Sequence, residues 1–141
     1  MSELSGLELR KAACEALGFH FEELKDDSGP VPNRLYVVRP DGSRYGSYNA
    51  DFYRDGFNRT QFYPAIESDP VVSESMFLEL CNKHSWDWLV GTSVHGPLER
   101  GIFAAAITDT YSEGNPIIGK AEGRTPSEAR ARAIVAAMEK Q

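Results

Sequence analysis

The spacing of hydrophobic positions predicts two helices in the first two thirds of the chain. Across Ser5–Leu17, leucine, alanine and cysteine recur every three or four residues, and Gly18 follows where a helix commonly ends. Ser68–His84 is the second predicted helix, because Asp69 can cap it and Pro70 suits its first turn. The apolar side chains of this second helix share one face, at Val72, Met76, Phe77, Leu80 and Cys81.

The last helix is the most clearly marked element of the sequence. Thr125 at the cap, Pro126 in the first turn and Glu128 three residues after the cap make up a capping box. Small side chains then recur at helical spacing, at Ala129, Ala133, Ala136 and Ala137. A stripe of small side chains lets a helix approach its neighbours closely, so we expect this helix to lie on a sheet.

Short strands are predicted between the helices. The segments Arg34–Arg39 and Arg44–Tyr48 flank the turn sequence Pro-Asp-Gly-Ser at 40–43, which predicts a hairpin. The stretch from Glu22 to Asn33 is acidic and then rich in glycine and proline, which predicts a loop. Three further strands are predicted at Trp86–Val94, Gly101–Tyr111 and Ile117–Ala121, with turns at 95–97 and 112–116.

These elements predict an α+β fold in one domain, residues 1–141, with a short antiparallel sheet packed by helices. We expect residues 1–33 to form the N-terminal helix and an acidic loop. Residues 34–63 are expected to form the hairpin and an insert rich in arginine and aromatic residues. Residues 64–141 are expected to form an α-β-β-β-α scaffold. So small a sheet leaves edges and one face to cover, which favours a homo-oligomer.

Composition argues against a membrane protein and against a secreted one. No stretch approaches the roughly 18 apolar residues of a transmembrane helix, and the first residues lack the features of a signal peptide. Cys14 and Cys81 form no CxxC pair, so we expect two buried, reduced thiols, with a disulfide as the alternative. The sequence therefore predicts a cytoplasmic protein without a membrane partner.

Charge is distributed unevenly along the chain. The formal net charge of −6 argues against a general nucleic-acid binder, whose affinity rests on neutralising phosphates. Residues 34–63 nevertheless carry five arginines against three aspartates, so the middle of an acidic chain is locally basic. This asymmetry makes residues 34–63 a candidate anion-binding segment.

Residues 44–63, the aromatic segment, combine rings with arginine and asparagine. Aromatic faces can stack on bases, guanidinium groups can bind phosphate through paired hydrogen bonds, and asparagine amides can read base or ribose edges. The alternative is a loop whose aromatic residues anchor it to the core while its arginines are solvated. The candidate ligand-binding residues here are Arg44, Tyr45, Tyr48, Asn49, Phe52, Tyr53, Arg54, Phe57 and Arg59.

The start of the last helix is a second candidate site. Arg124 precedes the cap and Arg130 follows in the next turn, where free backbone N–H groups and the helix dipole favour a phosphate. The alternative is an ordinary capped helix, since Glu128 is explained by capping alone. We expect this helix to supply the floor of any site that the aromatic segment forms.

No local motif indicates catalysis or metal binding. The sequence contains no GxSxG, HExxH or P-loop, and its three histidines show no metal-ligand spacing with cysteines or carboxylates. We therefore expect a protein that is not an enzyme and that carries no cofactor.

Two family resemblances follow from these elements. The order helix, three antiparallel strands, helix, with a last helix starting Thr-Pro-Ser-Glu-Ala-Arg at 125–130, is similar to a double-stranded-RNA-binding domain. The lysine cluster with which that family grips phosphates is absent here, and Glu128 replaces part of it. The opening Leu-Ser-Gly-Leu-Glu-Leu-Arg-Lys-Ala-Ala-Cys-Glu-Ala-Leu-Gly at 4–18, with the helices at 70–84 and 125–138, resembles the bacteriophage and prophage α-β-α (ABA) sandwich proteins.

The phage resemblance implies a small protein that acts on its host by binding. Anti-defence phage proteins of this kind sequester cyclic nucleotide or cyclic ADP-ribose type immune signals in the host cytoplasm, and the aromatic segment has suitable chemistry. Our first hypothesis is such sequestration of a nucleotide-like anion. The alternatives are a protein-interaction module or acidic nucleic-acid mimic that inhibits a host enzyme, and a weak RNA- or DNA-binding domain.

Overall fold

The computed structural model describes residues 4–25, 33–92, 102–109, 113–114 and 116–139 and has the predicted α+β fold. Helices α1, α2, α3 and α4 span Gly6–Leu17, Gly56–Arg59, Pro70–His84 and Pro126–Glu139. Strands β1 (His20–Leu24), β2 (Arg34–Val38) and β3 (Arg44–Asn49) form one antiparallel sheet in that order, here called sheet A. Strands β4 (Asp87–Thr92), β5 (Phe103–Thr108) and β6 (Ile117–Gly123) form a second antiparallel sheet, here called sheet B.

The predicted helix ends are confirmed by the local contacts. Gly18 ends α1 with φ at 107°, a left-handed conformation that glycine adopts without strain. The carboxylate of Asp69 accepts hydrogen bonds from the backbone N–H groups of Val71 and Val72 at the start of α3. At α4, Thr125 Oγ1 accepts from the N–H of Glu128 at 3.1 Å, so this half of the capping box is formed.

One prediction for the N-terminal part was wrong. The acidic stretch beginning at Glu22 was expected to be a loop, but Glu22, Glu23 and Leu24 belong to β1. This strand pairs with β2 from His20 opposite Val38 to Leu24 opposite Arg34, and it turns the predicted hairpin into a three-stranded sheet. Residues 26–32 of the predicted loop, the turn at 95–97, and residues 112 and 115 of the turn at 112–116 lie outside the described residues.

Helix α4 lies against sheet B at very short range, as its alanine stripe predicted. A Cβ atom added to Gly119 would lie 2.5 Å from the backbone oxygen of Ala133, and one added to Gly123 would lie 2.6 Å from the backbone nitrogen of Ala129. Ala105 and Ile107 of β5 are fully buried on the same face of the sheet. Only glycine permits this approach at positions 119 and 123, because even a Cβ atom there would collide with the helix backbone.

A continuous hydrophobic core connects the helices with both sheets. Leu9 and Cys14 of α1, Phe77 of α3, Ile134 of α4 and Val37 of β2 are all buried in it. Cys14 and Cys81 are buried free thiols, as predicted, and burial raises the pKa of Cys14 to about 12 and that of Cys81 to about 11. Of the described helices, none has the length and hydrophobicity needed to cross a membrane.

Candidate binding surface

The aromatic segment begins with a β-bulge that directs Tyr48 across the sheet. The β2–β3 register shifts between Leu35 and Val37, and opposite this shift Gly46 has a left-handed φ of 73°. The Tyr48 ring lies over this glycine, 2.5 Å from the position that a Cβ on Gly46 would take. Glycine is therefore required here both by the backbone conformation and by the packing of Tyr48.

Tyr48 is the first member of an aromatic stack. Its ring stacks on Phe62 with the centroids 3.6 Å apart and an angle of 15° between the planes. Tyr53 meets Phe62 edge to face at 4.8 Å, and Phe52 meets Tyr53 edge to face at 4.9 Å. Such ring pairs contribute about 0.5–1.5 kcal/mol each beyond their buried area, so they hold the segment against β3.

Tyr45 fixes the same segment through its hydroxyl group. The hydroxyl donates to the backbone oxygen of Phe62 at 2.8 Å, and the guanidinium of Arg39 lies over the ring at 4.5 Å from its centroid. Burial raises the pKa of Tyr45 to about 12, so the phenol stays protonated and remains a donor at neutral pH.

The end of the segment is attached to α1. Tyr63 is buried, stacks on Phe21 at 4.5 Å, and its hydroxyl lies 3.1 Å from a carboxylate oxygen of Glu15. Arg10 donates to the carboxylate of Glu67 at 2.6 Å and to the backbone oxygen of Gln61 at 3.3 Å. Side chains of α1 therefore bind both ends of the turn that leads into α3.

The arginines of the segment are paired with carboxylates. Arg44 contacts Glu22 at 2.6 Å, and Arg59 lies 3.6 Å from Glu23 while also donating to the backbone oxygen of Tyr53. Because both glutamates lie on β1, sheet A brings acidic groups against a stretch that is basic in sequence. When these two glutamates are counted with the three aspartates of residues 34–63, five carboxylates balance the five arginines, and three of the arginines contact a carboxylate directly.

Phe52, Arg54 and Phe57 are candidate residues whose side chains project far into solvent, and Arg44, Asn49 and Arg124 are exposed as well. Phe52 exposes 76% of its surface and Phe57 54%, and the Arg54 side chain is 75% exposed while it contacts Asp51 at 2.8 Å. We call Phe52, Arg54 and Phe57 the exposed aromatic surface. Of the other candidate residues, Tyr45, Tyr48, Tyr53 and Arg59 are partly buried in packing, and exposed Arg44 contacts Glu22.

Short side-chain caps hold the exposed aromatic surface in place. Asn49 Oδ1 accepts from the N–H groups of Asp51 and Phe52. Asp55 caps α2 by accepting from the N–H of Phe57 at 2.9 Å, and Thr60 Oγ1 donates to the Gly56 oxygen at the same distance. The candidate Asn49 is thus occupied in shaping the backbone.

The start of α4 stands apart from this surface. Helix α4 packs against β5, β6, α1 and α3. Arg124 is exposed, and its backbone N–H donates to the Glu128 carboxylate at 3.3 Å. Arg130 is half-buried. Glu128 also contacts Arg132 at 2.9 Å, so a carboxylate occupies the position where a phosphate was expected.

The sequence did not indicate a cleft of about 160 Å³ at the turn of the β2–β3 hairpin. Three segments that are distant in sequence form it, which is why no local pattern pointed to it. In the sequence, the helical spacing of Met76, Leu80 and Lys83 on α3 was the one pattern that could have indicated a wall of this cleft. The lining residues are Leu17, Phe19, Arg39, Pro40, Asp41, Met76, Glu79, Leu80 and Lys83.

Neither metal-ligating side chains among the described residues nor similar known proteins indicate a chemistry for this surface. The part of the chain that the structure describes contains no group of histidine, cysteine and carboxylate side chains suited to a metal ion. No family model, curated protein or solved structure matches the chain. The resemblances to phage sandwich proteins and to double-stranded-RNA-binding domains therefore stay predictions.

Proposed function

We propose that the chain is a non-catalytic binding protein and that its exposed aromatic surface contacts a partner protein. The observation that carries this proposal is the exposure of two large aromatic side chains, Phe52 and Phe57, on a segment whose other rings are packed. Aromatic residues and arginine are enriched in the cores of protein interfaces and supply most of their hot spots.

Rigidity of the support favours this proposal. The Tyr48–Phe62 stack, the Tyr45 hydrogen bond and the Arg10–Glu67 ion pair hold the backbone on either side of Phe52 and Phe57. Because this backbone is already ordered, a partner that binds to Phe52 and Phe57 loses little conformational entropy in ordering the segment. A loop whose rings served only as anchors would turn these two rings inward as well.

The pairing of the arginines with carboxylates and the small volume of the cleft favour a protein as the ligand over a nucleotide-derived anion. Each arginine candidate of the aromatic segment, Arg44, Arg54 and Arg59, already contacts a carboxylate, so a phosphate would have to displace that partner. The cleft at the hairpin turn, about 160 Å³, is smaller than the roughly 300–1,000 Å³ of ordinary small-molecule sites. Sequestration of a nucleotide-like immune signal stays the second candidate, carried by the exposed Arg54 beside Phe52.

Affinity capture with matched variants tests the proposal. Wild type, Phe52→Ala/Phe57→Ala and the control Val71→Ala are immobilised and exposed to lysate of the cells in which the gene occurs. Val71 is 78% exposed on α3 and so matches the loss of exposed apolar surface elsewhere on the molecule. We expect a captured protein whose yield falls at least about tenfold with the double variant and stays unchanged with Val71→Ala.

The second arm separates the two candidate functions. The same three proteins are heated with cyclic nucleotides and cyclic ADP-ribose isomers at about 1 mM, where a ligand of useful affinity raises Tm. A shift that the double variant abolishes would replace the protein partner by a nucleotide ligand. Equal capture by all three proteins, without any such shift, would overturn both candidates.

A further inference from the structure

The cleft at the turn of the β2–β3 hairpin is separate from the exposed aromatic surface. It lies at the end of sheet A where β3 begins, whereas Phe52 and Phe57 follow the other end of that strand. Three segments supply its apolar lining, namely the end of α1, the hairpin turn and the second half of α3. The apolar lining residues are Leu17, Phe19, Pro40, Met76 and Leu80.

The cleft has the volume of a single ring. It holds about 160 Å³, and an apolar cavity of about 150 Å³, engineered in another protein, binds benzene. Phe19 and Leu80 are buried, so they present apolar surface from within the fold rather than from mobile surface side chains. A ring that enters the cleft would remove its own apolar surface and that of the lining from water, which favours binding.

The walls of the cleft are held by close packing and hydrogen bonds. A Cβ atom added to Gly18 would lie 3.4 Å from the Cβ atom of Pro40, so the hairpin turn lies directly against the end of α1. Within the turn, the N–H and hydroxyl groups of Ser43 donate to Asp41 Oδ1 at 2.8 and 2.6 Å. Arg39 Nη1 donates to Ser43 Oγ at 3.1 Å. A ligand therefore meets walls that are already ordered, which limits the entropy lost on binding.

Four charged residues line the cleft beside the apolar side chains. The hydrogen bonds from Ser43, and then the nearby Arg39, lower the pKa of Asp41, so this carboxylate is already occupied. Arg39 uses only one of its several N–H donors on Ser43 and forms no ion pair with Asp41. Among the described residues, neither the Glu79 nor the Lys83 side chain forms an ion pair or a hydrogen bond, although their spacing on α3 would suit one. Two cations and one carboxylate therefore remain available to a ligand.

We propose that this cleft binds a free α-amino acid with a benzene-sized side chain. The ring enters the apolar lining, the α-carboxylate contacts Arg39 and Lys83, and the α-ammonium group contacts Glu79. A ligand with only an anionic group would lie near Glu79 without a favourable contact to it. A ligand with only a cationic group would lie near Arg39 and Lys83 in the same way. The zwitterion complements both signs of charge.

The small size of such a ligand sets the expected affinity. A compound of about a dozen non-hydrogen atoms that is held by one ring and one head group should bind with a dissociation constant of about 1 mM or below. Affinity in this range is measured well by NMR titration of the full chain, labelled with ¹⁵N, and the shifted amide signals also locate the site.

Titration with L-phenylalanine and three analogues tests the ligand class. L-Phenylalanine should cause saturating shifts centred on Gly18, Asp41 and Leu80. Glycine lacks the ring, N-acetyl-L-phenylalanine lacks the ammonium group as a peptide C-terminus does, and L-phenylalaninamide lacks the carboxylate as a peptide N-terminus does. Each analogue should bind at least about fivefold more weakly. Equal binding of any analogue would overturn the assignment to a free amino acid.

A charge variant with a matched control tests the carboxylate contact. Arg39→Gln/Lys83→Gln removes both cations of the cleft and should weaken L-phenylalanine binding at least about fivefold. Lys25→Gln/Arg34→Gln removes the same charge from exposed positions at the opposite end of sheet A and should leave binding unchanged. Equal affinity of the two double variants would contradict the inference.

A second variant tests the ammonium contact. Glu79→Gln should weaken binding at least about fivefold, whereas Glu74→Gln, at an exposed position earlier on α3, should not. Phe52→Ala/Phe57→Ala should also leave the titration unchanged, because those rings lie outside the cleft. Absence of saturating shifts up to about 10 mM L-phenylalanine, or shifts centred away from the cleft, would overturn the inference. Neither result would bear on the exposed aromatic surface.

Discussion

Two groups of aromatic residues in the same segment lie in opposite environments. Tyr48 and Phe62 stack face to face, whereas Phe52 and Phe57, from the same short stretch, are mostly in water. The difference arises from the backbone: a bulge at Gly46 places Tyr48 over the sheet, and Asp55 caps a short helix that carries Phe57 outward. Aromatic content alone therefore does not tell an anchor from a contact surface.

The packed group should determine stability, and Tyr63→Ala should show the largest effect. Tyr63 is buried between Phe19 and Phe21, so its removal leaves a cavity and should cost about 4 kcal/mol of unfolding free energy. Urea denaturation measures this change. A cost below about 1 kcal/mol would mean that the segment is not anchored where the ring contacts place it.

Two ion pairs, one buried and one exposed, extend the comparison between the anchored and the exposed parts of the segment. Arg10→Leu leaves the buried carboxylate of Glu67 without its partner and should cost about 3 kcal/mol. Arg54→Leu removes an exposed contact with Asp51 and should change stability by less than about 1 kcal/mol. Equal costs in denaturant titrations would contradict the distinction between the anchored and the exposed parts of the segment.

Alkaline pH provides a smaller test through Tyr45. The folded protein holds the phenol proton more tightly than the unfolded chain, because burial raises the pKa of Tyr45 from about 10 to about 12. The resulting stabilisation is complete below about pH 10 and is lost as pH rises through about 12. Tyr45→Phe should lose about 1 kcal/mol at neutral pH, from the missing hydrogen bond to Phe62.

The difference in unfolding free energy between wild type and Tyr45→Phe isolates the contribution of Tyr45 to the pH dependence of stability. Tyr63, whose pKa burial also raises, is present in both and cancels when they are compared. Between pH 9 and pH 12, wild type should therefore lose stability more steeply than Tyr45→Phe does. Parallel curves over this range would show that Tyr45 is not buried as described.

Locally encoded features were predictable from the sequence. The Asp69 cap, the Thr125 capping box, the Gly18 end of α1 and the turn at residues 40–43 each depend on residues that are neighbours in the chain. The alanine stripe of α4 also predicted that this helix packs closely against a sheet, since small side chains have few other roles at helical spacing.

Strand β1 was not predictable in the same way, and the candidate site depended on it. Only Phe21 and Leu24 of β1 have apolar side chains, and the strand exists because its backbone pairs with β2. Because the sequence did not predict β1, it also did not predict that Glu22 and Glu23 contact Arg44 and Arg59. The segment that looked basic in sequence is therefore neutralised by residues earlier in the chain.

The smallest stability effect is expected where binding matters most. Phe52→Ala and Phe57→Ala remove side chains that are mostly in water. Phe57→Ala should therefore change the unfolding free energy by less than about 0.5 kcal/mol, and Phe52→Ala, which also loses the edge-to-face contact with Tyr53, by about 1 kcal/mol at most. Denaturant titration of both variants measures this. A loss above about 2 kcal/mol would show that these rings stabilise the fold and would remove the reason to assign them to a partner.

Site-specific photo-crosslinking at the exposed aromatic surface tests the central claim most directly. Asn58, exposed on α2 next to Phe57, is replaced by a photoreactive amino acid in the full chain, and Glu74, exposed on α3, is replaced in a matched control. After irradiation in cells, we expect a discrete protein adduct from position 58 that is lost with Phe52→Ala/Phe57→Ala and absent from position 74. No adduct at position 58, or the same adduct from both positions, would contradict the proposed contact surface.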